Sequence, residues 1–214
     1  MAVYDLEEQE RLDALKDWWE RNRVTILGVL GIVILVLAGY YGWKYYKNQL
    51  NVEAEALHKE FGKLVNEHDA KKISGAATAL IDKYPSTFFA TDAALAAAKA
   101  SFDAKDYEGA RKQLQWAVDK GKAELRPIAQ LRLATVFLEE KKYDDALKTV
   151  EAVKEDAYVP LASDLKGDIL ASKGAKDEAR LAYQLAVDKA EARSPLKSAV
   201  QVKLDSLGIS GAAK

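Results

Sequence analysis

Cysteine is absent from this 214-residue chain, methionine occurs once, histidine twice and proline four times. Without thiols there is no disulfide framework, no thiolate metal site and no cysteine nucleophile. That absence suits an oxidising compartment as well as a reducing one. With only His58 and His68 to draw on, a zinc hydrolase site or a histidine-based triad is poorly supplied. An excess of charge of either sign is also missing, the formal net charge being -1 with 30% of residues charged. Beyond Leu50 the cations and anions balance, which argues against nucleic acid and against electrostatic docking on anionic lipid. No Gly-rich phosphate loop, H-E-x-x-H motif, calcium-loop spacing or nucleophile elbow occurs. Acidic pairs such as Asp144 and Asp145 sit among lysines at a hairpin turn, as a solvated helix start does. His58 and His68 lie about 15 Å apart along a continuous helix, too far for an i, i+4 metal pair, and read as surface residues. The expectation is a protein that binds and does not catalyse, with no cofactor and no metal.

Charge is missing altogether from one stretch. Val24 to Trp43 runs VTILGVLGIVILVLAGYYGW without a single charge, and a helix of that length crosses roughly 30 Å, the hydrocarbon thickness of a bilayer. Its Val, Ile and Leu residues favour insertion by about 3 to 7 kcal/mol in sum. Trp18 and Trp19 precede the run, and Tyr40, Tyr41, Trp43, Tyr45 and Tyr46 close it. Such rings suit the headgroup level. The leader is hydrophilic and acidic, and no small-residue cleavage site follows, so the run reads as an uncleaved anchor. The positive-inside count is a tie, with Arg11, Lys16, Arg21 and Arg23 on one side and Lys44, Lys47, Lys59 and Lys63 on the other. The crowding of cations just before the span, and the acids that would have to be translocated, lean towards a cytoplasmic N-terminus.

Leu12, Leu15, Trp18 and Trp19 recur at helical spacing in the tail. They describe an amphipathic helix, either lying on the membrane or binding a partner. Gly28, Gly31, Gly39 and Gly42 fall within an arc of about 80 degrees of an ideal helix. They offer a helix-packing face, or they reflect only the frequency of glycine in membrane helices.

Past Leu50 the chain is rich in Ala, Leu and alternating charge, and Pro85, Pro127, Pro160 and Pro195 stand where helices begin. No run alternates with period two, so no sheet is expected. A repeat of 33 to 36 residues emerges when Ala110, Ala146 and Ala179 are aligned. Tyr107 and Tyr143 stand three residues before the first two, and Leu114, Val150 and Tyr183 four residues after all three. Ala117, Val153 and Ala186 follow at seven, and Ala98, Ala134 and Gly167 lie twelve before. This order resembles the tetratricopeptide repeat, in which small residues let two helices of a hairpin approach and larger ones fill the groove to the next. A degenerate hairpin over 51–84 and a capping helix carrying Leu196, Val200, Leu204 and Leu207 complete the expectation.

The fold class is therefore all-α, a single transmembrane helix followed by a short right-handed tetratricopeptide-like solenoid. The expected boundaries are a tail over 1–23, a span over 24–43, an aromatic and basic segment over 44–50, repeats over 51–208 and a disordered end over 209–214. Solenoids bind along the face lined by the first helix of each hairpin. That register selects Leu95, Lys99 and Phe102, then Ile128, Leu131, Thr135 and Leu138, then Leu161, Asp164 and Asp168. The helix around Leu131, Leu133, Val136 and Leu138 is apolar nearly all round. Either it is packed centrally between neighbours, or it lines a groove for apolar peptide segments.

The acidic tail YDLEEQERLDALKDWWERNR, the glycine-bearing span, the aromatic exit YYGWKYY and an Ala-rich repeat domain of this length together resemble the ancillary SecYEG translocon subunit family, the YfgM-like proteins. The resemblance covers the whole chain and is most specific from Glu7 to Arg23. It implies a single-pass protein of the Gram-negative inner membrane with its N-terminus in the cytoplasm and its repeats in the periplasm. It also implies association with the SecYEG translocon and a PpiD-like periplasmic chaperone, and help for nascent secretory proteins, with no catalytic residues to carry over. A structural scaffold or assembly factor for envelope complexes is the other class that the residues allow.

Overall fold

The computed structural model describes the backbone of residues 2–209 and the side chains of residues 8–208. Among the described residues every regular element is helical. The helices are α1 (Ala2–Asn66), α2 (Ala70–Lys83), α3 (Phe88–Asp103), α4 (Tyr107–Lys120), α5 (Arg126–Glu139), α6 (Tyr143–Glu151), α7 (Val159–Lys173), α8 (Lys176–Lys189) and α9 (Pro195–Ile209). Short 3-10 turns precede α5 and α7. The expected disordered end lies outside the described residues from position 210; Ile209 closes α9.

The chain divides into two compact units, one through Gln49 and one from Leu50. In the first, α1 runs unbroken from the tail through the apolar stretch. Between Gly42 and Asn66 there is neither a proline nor a glycine other than Gly62, so nothing local stops the helix. The stretch is long and apolar enough to cross a membrane, and none of it is buried within the chain. Val24, Leu27, Ile32, Leu35 and their neighbours stay exposed, which in water would be untenable and in lipid is the ordinary state. Lys47 places its ammonium 4.0 Å from the centre of the Trp43 ring at the end of the span.

In the second unit the remainder of α1 pairs with α2, α3 with α4, α5 with α6 and α7 with α8, and α9 covers the last pair. The turn inside each hairpin repeats one device. A single residue in the left-handed conformation, His68 (φ 58), Lys105 (φ 60), Lys141 (φ 58) or Gly174 (φ 90), stands directly before the start of the second helix. At His68 the amide bonds the Val65 carbonyl at 3.2 Å; in the other three turns a second bond joins the first, so that Lys105 N–H reaches the Phe102 carbonyl at 2.9 Å and Asp106 N–H the Ser101 carbonyl at 2.8 Å. Lys141 and Lys142 do likewise with Leu138 and Phe137, and Gly174 and Ala175 with Ala171 and Leu170. This is the helix C-cap that satisfies orphan carbonyls. Local caps then start the next helices. Asp69 accepts from the Lys71 and Lys72 amides, Thr87 from the Ala90 amide and Asp106 from the Gly109 amide, and the Ser194 hydroxyl accepts from the Lys197 amide behind Pro195.

Aligned on these turns, the repeat of Ala98 with Ala110, Ala134 with Ala146 and Gly167 with Ala179 is buried throughout. In the first hairpin the equivalent positions hold Phe61 and Ile73, also buried. A large pair there replaces the small one, which is why this hairpin carries no recognisable motif. Four apolar clusters follow one another along the repeats. The arrangement is quasi-one-dimensional, each hairpin resting on the next.

Candidate functional site

The first helices of successive hairpins define the face on which a repeat protein binds, and side chains from α3 and α5 frame a recess there. Ala98, Lys99, Phe102 and Asp103 form one wall, Arg132, Thr135 and Val136 the other, and Leu114 of α4 contributes beneath, enclosing about 320 Å³. Of the residues selected from the sequence, Lys99, Phe102 and Thr135 come together in this groove. Lys99 is paired with Asp103 one turn on, and both are exposed. Thr135 turns its hydroxyl to the Leu131 carbonyl at 3.0 Å. Arg132 donates to the Leu95 carbonyl at 3.2 Å.

The other selected positions are used elsewhere. Leu95 is 5% exposed and belongs to the apolar cluster between α3, α4 and α5, so it does not face a partner. Ile128 packs against the same cluster, while Leu131 and Leu138 pack against the next one, around Ala134 and Ile169. Leu161 stands exposed near the start of α7. Asp164 and Asp168 face α9, where Lys203 reaches both, at 2.7 and 2.8 Å. The apolar circumference of α5 is thus explained by its central place between two clusters.

Burial pushes the Asp164 carboxyl up, against the pull of Lys203. For Lys203 burial is outweighed by the two carboxylates, which hold the ammonium above its usual range. The Tyr183 phenol donates to Asp168 at 2.8 Å; burial, and then that bond, raise its pKa well above the usual value. Such a network fixes α9 on the last hairpin. Around α5 a second tie holds: one Arg111 nitrogen donates to both oxygens of Glu140, each at 2.6 Å, beside Lys142.

His58 is not simply on the surface. Its Nε2 lies 2.8 Å from Asp92 Oδ2, and the ring packs against Phe61 and Phe89. It joins the last part of α1 to α3. Among the described residues no group of three acids or histidines comes together to hold a metal.

The residue that the sequence reading missed is Arg132. It shares one helical stripe with Ile128 and Thr135, at spacings of four and three, whereas the repeat register selected Leu131, the counterpart of Leu95, which packs on the neighbouring cluster.

Helical hairpins stacked through small residues, carried by a chain with a helix fit to cross a membrane, define a membrane-anchored tetratricopeptide-like repeat protein. A family model described as a tetratricopeptide repeat-like domain matches residues 16–209. Curated relatives narrow the class. A protein of Neisseria gonorrhoeae named ancillary SecYEG translocon subunit is 34% identical over 212 residues, covering 97% of this chain and 100% of the relative. Proteins of the same name from Aggregatibacter actinomycetemcomitans and Escherichia coli are 30% and 29% identical, over 96% and 98% of this chain and 100% of each relative. The chain belongs to the ancillary SecYEG translocon subunit family.

Proposed function

We propose that this protein spans the bacterial inner membrane once, with the tail before Val24 in the cytoplasm and the repeats in the periplasm, and that it works by binding. The span keeps it beside the SecYEG translocon. The repeats receive a PpiD-like chaperone and newly exported chains, so that translocation is linked to periplasmic folding. Relatives bearing the translocon-subunit name align with this chain from end to end, and that observation carries the reading. The uncharged stretch and its aromatic borders support the anchor, and the crowded cations before it support the orientation.

Two measurements test it. Because the chain has no cysteine, single cysteines at Glu10 and Lys154 report topology without background. A membrane-impermeant maleimide added to spheroplasts is expected to label Lys154→Cys and to spare Glu10→Cys; the reverse pattern overturns the orientation. Affinity isolation in mild detergent is expected to bring SecY and a periplasmic chaperone with the native chain, and to lose SecY when residues 24–43 are replaced by an unrelated span. Recovery of other envelope proteins with no translocon component would favour a scaffold.

A further inference from the structure

Of the recesses on the repeat unit, the groove between α3 and α5 combines apolar walls with an unmatched charge. About 320 Å³ is at the lower end of the roughly 300–1,000 Å³ of small-ligand sites, enough for a large side chain and too little for a helix. Ala98, Phe102, Leu114 and Val136 give it apolar walls. At its rim, Lys99 and Asp103 neutralise one another. Arg132 has no carboxylate partner among the described residues; its polar contact there is one backbone carbonyl. A guanidinium carries five N–H donors, so most of its capacity is open, and the rim bears a net positive charge.

We infer that this groove seats an extended segment of a client chain, with a large apolar side chain in the recess and an internal Asp or Glu two residues away on Arg132. The inference rests on the client-binding part of the function proposed above. Alternate residues of an extended chain point to the same side, which makes the recognised pattern apolar, any residue, acidic. Charge complementarity selects the acid, since a carboxylate on arginine forms the strongest class of hydrogen bond. The groove is open to solvent, so it accepts a chain passing through and does not require a chain end.

The test uses full-length protein in nanodiscs and nine-residue fluorescent peptides with capped termini, otherwise neutral and polar. One holds Leu-Ser-Asp at its centre, a second Leu-Ser-Asn and a third Ser-Ser-Asp. The first is expected to bind about tenfold more tightly than either of the others. Arg132→Gln should reduce the first to the level of the second, and Thr135→Trp, which fills the recess, should weaken both Leu peptides. Arg132 is exposed, so its variant keeps the fold, checked by circular dichroism, and decides the matter if the Trp variant does not fold. Equal binding of the three peptides, no binding, or a preference untouched by Arg132→Gln overturns the inference. Tighter binding of a Leu-Ser peptide ending in a free carboxylate overturns the choice of an internal acid. Co-isolation of SecY with Arg132→Gln is expected to be unchanged, so the failure of this inference is distinguishable from failure of the translocon reading.

Discussion

A Cβ at Gly167 would overlap Cε1 and Cδ1 of the Tyr183 ring, and that ring is held by its hydroxyl on Asp168, 2.8 Å away. Close approach of α7 to α8 therefore requires glycine here, and Gly167→Ala is expected to destabilise the repeat unit by about 1–3 kcal/mol. Thermal unfolding measures it, and adding Tyr183→Leu should recover part of the loss; a lone alanine variant with an unchanged Tm removes the argument. At Lys141 the backbone sits at φ 58, a conformation that disfavours a side chain by roughly 1 kcal/mol relative to glycine. Lys141→Gly should accordingly raise the Tm by a few degrees, while the same change at exposed Lys142, outside the left-handed region, should not. Glu140 gives a pH signature. The hydrogen bond from Arg111 holds its carboxyl below the usual carboxylate range, with burial opposing. A group depressed in the folded state stabilises above its unfolded pKa and loses that contribution as pH falls through its folded value. Glu140→Gln should thus cost about 1 kcal/mol at neutral pH, and the gap to the parent should close in acid. A gap independent of pH would show that the pair contributes no charge-dependent stability.

Among elements, α9 has the clearest separate duty. It covers Leu170, Ala182, Ala186 and Val187 with Leu196, Val200, Leu204 and Leu207, and Lys203 pins it to α7. Because each hairpin leans mainly on its neighbour, a chain ended after Ser194 should lose amide-exchange protection in α7 and α8 while keeping it in α3 to α5. Uniform loss across all helices would mean that the repeats unfold as one unit. These contacts also mark where sequence reading succeeds and where it stops. Ala110, Ala146 and Ala179 were legible because a close helix crossing admits only small residues, and the pattern recurs. The first hairpin was legible over 51–84 as a pair of helices but not as a copy of the motif, since Phe61 and Ile73 stand where the motif has small residues. Nor was the left-handed conformation in the turns, because His68, Lys105 and Lys141 stand where glycine is the usual signal. Lys99, Phe102 and Thr135 were placed on the groove by register. Asp164 and Asp168 were assigned to the same face, yet their partner Lys203 lies 39 and 35 residues away, beyond what helical periodicity can report.

For the molecule as a whole, the membrane-spanning helix raises a different question, since it stabilises nothing inside the chain. At Gly28, Gly31, Gly39 and Gly42 an added Cβ would meet nothing within 4 Å. No internal contact therefore accounts for small residues on that arc, in contrast to Gly167. The helix-packing reading of that arc, as against the mere frequency of glycine in membrane helices, makes a separable prediction. Gly31→Leu with Gly39→Leu should leave the Tm of the repeats unchanged, because nothing in the chain is displaced. It should nonetheless lower recovery of SecY several-fold, since two leucines keep another helix from the close approach that small residues permit. Ile26→Leu with Val33→Leu, on the opposite side of the helix, is the matched control and should recover SecY as the parent does. Equal recovery from both pairs would place the translocon contact off the glycine arc and return recognition to the tail or to the repeats.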